Sequence, residues 1–134
     1  MILGVDPGAR RVGLAIADPE TRRARPLEVV DARSTDPVAR IAEIVAEAGV
    51  TAVVVGRPVG LSGRAGAAVA AQAGLVRRLE ARLPVEVTEY DERLTTVVAE
   101  RALRAGGARA RARRRVRDAV AAQVLLQDYL DATR

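Results

Sequence analysis

The chain has 134 residues, of which 49% are hydrophobic and 1% aromatic, and it contains no Cys, His, Phe or Trp. A chain of this length predicts one compact domain, residues 1–134, with a core of small and branched aliphatic side chains. The absence of His and Cys excludes Ser-His-Asp and Cys-His catalysis, disulfides and the usual zinc sites. Hydrolytic chemistry would therefore depend on carboxylates, whose oxygens suit Mg²⁺ or Mn²⁺.

The formal net charge is +5, and all 22 basic side chains are arginines. An excess of positive charge favours a polyanionic partner such as nucleic acid. The same arginines also fit a compositional bias of the whole sequence, so their placement has to decide between the two explanations. The sequence has no repeat, no secretory leader and no apolar run long enough to span a membrane, and we expect a soluble, cytoplasmic protein.

The first part of the chain predicts three strands followed by a helix. Apolar runs at residues 2–6, 12–17 and 26–30 are separated by short connections, which favour an antiparallel arrangement. Asp36 is expected to cap the helix that follows, with Pro37 at its first position, and Gly49 is expected to end it.

The second part predicts parallel strands alternating with helices. Residues 51–56 form a nearly continuous β-branched run, which is typical of a strand covered on both faces. Residues 69–83 have apolar positions at helical spacing, and residues 85–90 predict a fifth strand. Two more helices are expected, one from Thr95 or Thr96 and one over about residues 116–130. The arginine-rich segment 108–115 between them is expected to be mobile without an anion. The predicted fold class is α/β, with a mixed five-stranded sheet flanked by helices.

Asp6 is the first candidate for chemistry because it lies near the end of the first strand. Gly4 and Asp6 share one face of that strand, and a strand glycine often marks close approach of a ligand or another backbone segment. Gly56 ends the fourth strand and Asp91-Glu92 the fifth, so these positions and Asp6 should lie at one sheet edge, where α/β proteins bind ligands. An ordinary solvated Asp at a turn is the alternative interpretation.

Asp118 is the third acidic candidate, expected in the first turn of the last helix. The helix dipole favours an acid there whatever the function, so the residue pattern alone favours a structural role. The arginines at 109–117 precede Asp118 and are either a nucleic-acid contact surface or a solvated charge run. Because Tyr90 and Tyr129 are the only aromatic residues, recognition of backbone and shape is favoured over base stacking.

Several segments, in this order, resemble the YqgF/RuvX family, whose members are described as Holliday-junction resolvases or as nucleases that process precursor ribosomal RNA of the small subunit. An opening Gly-x-Asp-x-Gly alone would also fit actin-like kinases, but this chain lacks the length for their second domain. The opening motif together with Asp-Glu-Arg-Leu-Thr is distinctive. The matching segments are Gly4-Val5-Asp6-Pro7-Gly8, Arg11-Val12-Gly13-Leu14-Ala15, Val54-Val55-Gly56-Arg57-Pro58, Asp91-Glu92-Arg93-Leu94-Thr95-Thr96 and Asp118-Ala119 ahead of Leu126-Gln127-Asp128-Tyr129-Leu130.

The resemblance implies a ribonuclease H-like fold and an acidic cluster that binds Mg²⁺ or Mn²⁺. Carried onto this sequence, the metal ligands are Asp6, Asp91 or Glu92, and Asp118, and the catalytic residues are Asp6, Glu92 and Asp118. Glu92 is preferred to Asp91, although the choice depends on where the fifth strand ends. The implied activity is metal-dependent endonucleolytic cleavage of structured nucleic acid, with processing of the 5′ end of pre-16S rRNA as the first choice. Holliday-junction resolution in DNA recombination or repair is one alternative, and a non-catalytic nucleic-acid-binding assembly factor is the other.

The expected partner is structured RNA or branched DNA, bound by a monomer or by the homodimer that symmetric junction cleavage would need. Arg93 in the fifth-strand motif either fixes a substrate phosphate or pairs with a neighbouring acid. The arginines expected to contact nucleic acid are Arg10, Arg11, Arg57, Arg93, Arg109, Arg111, Arg113, Arg114 and Arg115.

Overall fold

The computed structural model describes residues 1–8, 10–57, 65–91 and 110–133, with the side chains of 65–69 and 110–117 outside that description. The expected helix beginning at Thr95 or Thr96 and the loop after Arg57 therefore lie outside the described residues. The elements are β1 (Ile2–Pro7), β2 (Arg11–Ala17), β3 (Ala24–Asp31), α1 (Pro37–Ala48), β4 (Ala52–Arg57), α2 (Ala65–Arg82), β5 (Glu86–Asp91) and α3 (Ala110–Ala132).

The five strands form one mixed sheet in the order β3-β2-β1-β4-β5. β2 is antiparallel to both β1 and β3, whereas β4 is parallel to both β1 and β5. The antiparallel start and the parallel second half are thus confirmed. Because β1, β4 and β5 run in the same direction, Pro7, Arg57 and Asp91 end at one edge of the sheet.

The caps expected for α1 are also confirmed. The side chain of Asp36 accepts a hydrogen bond from the Val38 backbone N–H at 3.2 Å, and Pro37 occupies the first helical position. Gly49 ends the helix in the left-handed region, at φ 65° and ψ 41°, and its N–H donates to the carbonyl of Val45.

The sheet separates two apolar layers of different character. α1 and α2 cover one face with branched aliphatic side chains, among them Ile41, Leu79 and, from the sheet, Leu3. α3 covers the other face, where the sheet contributes mainly small residues. A Cβ added at Gly4 would lie 2.8 Å from the Cβ of Leu126, so α3 packs directly against the β1 backbone. The second layer consists of Ala15, Ala17, Ala24, Val54, Ala122, Leu126 and Leu130.

Side-chain hydrogen bonds fix the C-terminal half of α3 to the start of β3. The side chain of Gln127 accepts from the Ala24 N–H at 2.9 Å and donates to the Arg22 carbonyl at 3.0 Å, and Gln123 donates to the Ala24 carbonyl at 3.1 Å. Arg22 donates to the carbonyl of Leu130 at 2.5 Å, in the last turn, where helix carbonyls lack partners within the helix. These contacts determine the line along which α3 crosses the sheet.

α3 begins at Ala110 and not near Val116, so the predicted start of the last helix is wrong. Ala and Arg are both strong helix formers, and their intrinsic preference outweighs the repulsion between arginines that water and salt screen. Asp118 is consequently the ninth residue of the helix and lies in its third turn.

Candidate active site at the carboxyl ends of the parallel strands

Asp6 lies on the face of the sheet that α3 covers. Gly4, two residues earlier in β1, points at Leu126 of α3, and positions two apart in a strand share a face. In the antiparallel ladder Asp6 pairs with Gly13 of β2. The carboxylate is therefore presented beside a position in β2 that has no side chain.

Asp118 approaches the sheet at that same position. A Cβ added at Gly13 would overlap the backbone carbonyl of Asp118. The missing side chain of Gly13 thus lets α3 come close enough to bring Asp118 next to the strand position paired with Asp6. Two of the predicted acidic residues, separated by more than a hundred positions in sequence, meet around one glycine.

The position of Asp118 also removes the helix dipole as its explanation. Stabilisation of an acid by the dipole falls off within the first turn, whereas Asp118 lies in the third. Its charge is balanced instead by Arg11, whose Nε donates to Oδ2 at 2.7 Å. Both side chains are partly buried, with exposed fractions of 30% for Arg11 and 20% for Asp118. An ion pair in this environment is screened less than one on the open surface.

Arg11 lies between two carboxylates. It belongs to the same face of β2 as Gly13 and pairs across the ladder with Asp31 of β3. Hydrogen bonds from Arg33 hold the pKa of Asp31 below its ordinary value, and the charge of Arg11 contributes in the same direction. Arg11, Asp31 and Arg33 line a cleft of about 760 Å³ that continues towards α1.

The register of β5 places Asp91 on the opposite face from Asp6. Asp91 follows Glu89 at the strand interval of two, and Glu89 accepts a hydrogen bond from Gln72 of α2 at 3.1 Å. Tyr90, in contrast, packs with the apolar layer under α3. Strand alternation therefore directs Asp91 away from the face that carries Asp6. Glu92 itself lies outside the described residues.

Apart from Arg11, which pairs with Asp118, the predicted arginine contacts fall into three groups. Arg10 and Arg57 are exposed, and Arg57 pairs with Asp91 in the ladder at the carboxyl edge. Arg93 and Arg109 lie outside the described residues. The other four arginines lie in the first two turns of α3, ahead of Asp118, where the structure describes their backbone. These are Arg111, Arg113, Arg114 and Arg115.

The donor set fits a hard divalent cation in part. Among the described residues, no group of three or more Asp and Glu side chains is close enough to hold a metal ion. Asp6 and Asp118 nevertheless converge on Gly13, and Mg²⁺ is commonly held by one or two carboxylates together with substrate phosphates. These two side chains are the ones that would hold the cation, with Glu92 as the predicted third ligand.

Two features of the site were missed from the sequence. The role of Gly13 is one of them, although a glycine inside an apolar strand is itself a sign that another backbone segment approaches closely. The ion pair between Arg11 and Asp118 had no signal in the sequence, since its partners are 107 positions apart.

Nothing in the described ranges gives a helix with the length and apolar character needed to cross a membrane.

Comparison with known proteins agrees with this architecture. Two relatives carry the name "Putative pre-16S rRNA nuclease". The relative from Chloroflexus aggregans is 46% identical over 134 residues, covering 99% of this chain and 94% of its own length. The relative from Clavibacter sepedonicus is 45% identical over 134 residues, covering 98% of this chain and 83% of its own length.

Two solved structures have the same fold. Thermus thermophilus RuvC in complex with a Holliday junction substrate matches with a TM-score of 0.58 at 23% identity, covering 98% of this chain and 94% of that one. Fowlpox virus resolvase with Holliday junction DNA matches with a TM-score of 0.54 at 10% identity, covering 98% and 97%. At these identities the likeness concerns the fold, and it confirms the ribonuclease H-like prediction.

A family model described as "RuvX: Holliday junction resolvase" matches residues 1–132. Because this match spans nearly the whole chain, and because relatives above 40% identity cover it equally well, the protein belongs to the RuvX family.

Proposed function

We propose that this protein is a divalent-metal-dependent nuclease that hydrolyses phosphodiester bonds in structured nucleic acid. The observation that carries the proposal is the convergence of Asp6 and Asp118 on Gly13, at the edge of the sheet where the parallel strands end. Membership of the RuvX family and the names of its relatives support the same class of reaction.

In this proposal Asp6, Asp118 and Glu92 hold Mg²⁺ or Mn²⁺. When bound, such a cation lowers the pKa of a coordinated water and stabilises charge on the phosphate oxygens, which replaces the missing histidine base. The carboxylates of Asp6 and Asp118 fix the position of the cation relative to the scissile phosphate. Arg11 neutralises Asp118, and the other arginines predicted to bind nucleic acid contact the flanking backbone.

The proposed substrate is precursor 16S rRNA, cleaved at its 5′ end. The names of the two relatives support precursor 16S rRNA as the substrate. The shortage of aromatic side chains and the abundance of arginine fit recognition of backbone and shape, which suits folded RNA.

Resolution of Holliday junctions is the second candidate function. The description of the matching family model and the fold shared with two junction resolvases favour it. Symmetric cleavage of a four-way junction requires two active sites, so this function predicts a homodimer.

Cleavage assays with matched variants test the proposal. A precursor 16S rRNA fragment and a four-way DNA junction are incubated with Mg²⁺ or Mn²⁺ and with wild-type protein, Asp6→Asn or Asp18→Asn. Asp18 is an exposed carboxylate in the turn after β2 and serves as the control. We expect Asp6→Asn to lose at least about a hundredfold in cleavage rate while Asp18→Asn keeps the wild-type rate, since of these two carboxylates Asp6 is the proposed metal ligand.

The substrate that is cut distinguishes the two candidate functions. Faster cleavage of the RNA supports rRNA processing, whereas paired symmetric cuts in the junction by a dimer support resolution. Equal cleavage by wild type and Asp6→Asn would contradict both. Binding of substrate without turnover in either metal would favour the non-catalytic assembly role.

A further inference from the structure

The ion pair between Arg11 and Asp118 joins a cationic side chain directly to a proposed metal ligand. The Nε of Arg11 lies 2.7 Å from Oδ2 of Asp118, and both side chains are largely shielded from water. Any divalent cation held by Asp118 would therefore meet a fixed positive charge a few ångströms away. Two positive charges that share one carboxylate repel each other, and the effect is strong where water is partly excluded.

The fold restricts where the Arg11 side chain lies in the free protein. It begins β2, and its strand face is the one that carries Gly13, over which Asp118 passes. The other carboxylate beside it, Asp31, is hydrogen-bonded to the backbone N–H and the side chain of Arg33. In the free protein Arg11 donates its hydrogen bond to Asp118.

We propose that Arg11 acts as a substitute cation for Asp118, weakening metal binding until a substrate phosphate draws the guanidinium away. This inference rests on the proposed metal-dependent function and assigns Arg11 a positioning role that acts through Asp118. A phosphate offers a guanidinium two oxygens in the geometry it prefers, so transfer from Asp118 to substrate gains a bidentate contact. Metal and nucleic acid then bind cooperatively. By linkage, each raises the protein's affinity for the other by the same factor.

The test measures Mn²⁺ binding to the full chain without nucleic acid, by calorimetry or by loss of the free-ion paramagnetic resonance signal. Wild type is compared with Arg11→Gln, Arg11→Lys, Asp118→Asn and the control Arg10→Gln. Arg10→Gln removes the same charge from an exposed neighbouring position. We expect Arg11→Gln to bind Mn²⁺ roughly three- to tenfold more tightly, because one positive charge is removed beside the cation. Arg11→Lys should restore the wild-type affinity, and Arg10→Gln should change it less than about twofold.

A second measurement addresses coupling. The affinity of the protein for Ca²⁺ is determined with and without a four-way DNA junction. A gel then checks that the junction stayed uncleaved during the measurement. The junction should raise the affinity of wild type more than that of Arg11→Gln, since only wild type releases a guanidinium from the site.

The outcomes separate this inference from the function on which it rests. Mn²⁺ binding that depends on Asp118 but is unchanged or weakened in Arg11→Gln would overturn the substitute-cation role alone. An equal gain in Mn²⁺ affinity in Arg10→Gln would overturn it as well, since the gain would then come from the lower net charge. A purely structural role would lower the melting temperature and the Mn²⁺ affinity together. Absence of Asp118-dependent binding in every variant would contradict both the metal-dependent function and this inference.

Discussion

At the scale of single residues, Gly13 decides whether the candidate site can form. Asp6 pairs with it in the ladder, and the backbone of Asp118 occupies the space where its side chain would be. Gly4 has the same role further along α3, against Leu126. The helix can lie close to the sheet only because these two positions lack a Cβ, and the separation of Asp6 and Asp118 follows from that distance.

Replacement of Gly13 by Ala should therefore damage both stability and function. The added methyl group must displace backbone of α3, and overpacking of this kind costs about 1–3 kcal/mol of unfolding free energy. Gly74→Ala is the matched control, because a Cβ there has nothing within 4 Å. We expect that control to gain about 0.4–1 kcal/mol from reduced flexibility of the unfolded chain.

Urea unfolding and cleavage rates measure the two effects of Gly13→Ala. The variant should also lose at least about tenfold in cleavage rate in conditions where it stays folded, because displacement of α3 misplaces Asp118, a proposed metal ligand. Wild-type stability and wild-type rate in Gly13→Ala would show that α3 is not held at this position.

At the scale of elements, hydrogen bonds connect α3 to both edge strands of the sheet, β3 and β5. Its glutamines bond to the start of β3, and on the opposite edge the hydroxyl of Tyr90 donates to Oδ2 of Asp128 at 2.7 Å. Tyr90 also packs edge-on against Tyr129, with ring centroids 5.6 Å apart and an interplanar angle of 82°. β5 is thereby tied to the helix that carries Asp118.

The contact between β5 and α3 should weaken at high pH. The hydrogen bond to Asp128 raises the pKa of Tyr90 to about 12, from an ordinary value of 10.0. Because the folded pKa is the higher one, the stabilisation is complete below pH 10 and is lost as the pH rises from 10 to 12. The phenolate that forms would lose its proton donor and repel the carboxylate.

Ultraviolet titration of the phenol, compared with Tyr90→Phe, isolates the signal of Tyr90. Asp128→Asn keeps a hydrogen-bond acceptor but removes the charge, so it should move the pKa of Tyr90 towards its ordinary value. Urea midpoints should fall more steeply between pH 10 and 12 in wild type than in Tyr90→Phe. A Tyr90 that titrates near its ordinary value in wild type would show that the hydrogen bond does not persist in solution.

At the scale of the whole molecule, the 22 arginines occur in different parts of the fold. Several arginines around α1 are paired with acids, as Arg40 is with Glu28 and Arg78 with Asp36. The arginine-rich first turns of α3 precede Asp118, and eight helical residues at 1.5 Å each extend the backbone about 12 Å beyond the candidate site. We therefore expect these turns of α3 to contact nucleic acid, a contact that a compositional bias alone would not produce.

Salt dependence of binding tests that role. With EDTA present to prevent cleavage, the double variant Arg114→Gln/Arg115→Gln should bind the RNA or junction more weakly. The slope of log K against log salt should become shallower by up to about two units, one for each lost phosphate contact. Arg77→Gln/Arg82→Gln removes the same charge from exposed positions of α2, across the sheet, and should leave the slope nearly unchanged. Equal slopes for both double variants would contradict a contact role for the first turns of α3.

Much of the architecture follows from local patterns in the sequence. Alternation and β-branched runs predict the strands, and Asp36 with Pro37 and Gly49 fixes both ends of α1, because capping depends on neighbours within a few residues. The predicted start of α3 near Val116 is wrong, because the helix preference of Ala and Arg outweighs the repulsion between the arginines.

The sequence by itself determined the mixed sheet and, through the resemblance, the RuvX family. It also predicted carboxylate chemistry and the acidic residues that would carry it. Only the tertiary structure decided how those residues are arranged: Asp118 over Gly13, Arg11 on Asp118, and Asp91 on the face away from Asp6. The physical reason is that strands and caps depend on interactions between near neighbours in sequence. The arrangement of the site depends on how closely α3 approaches the sheet, and residues more than a hundred positions apart determine that distance together.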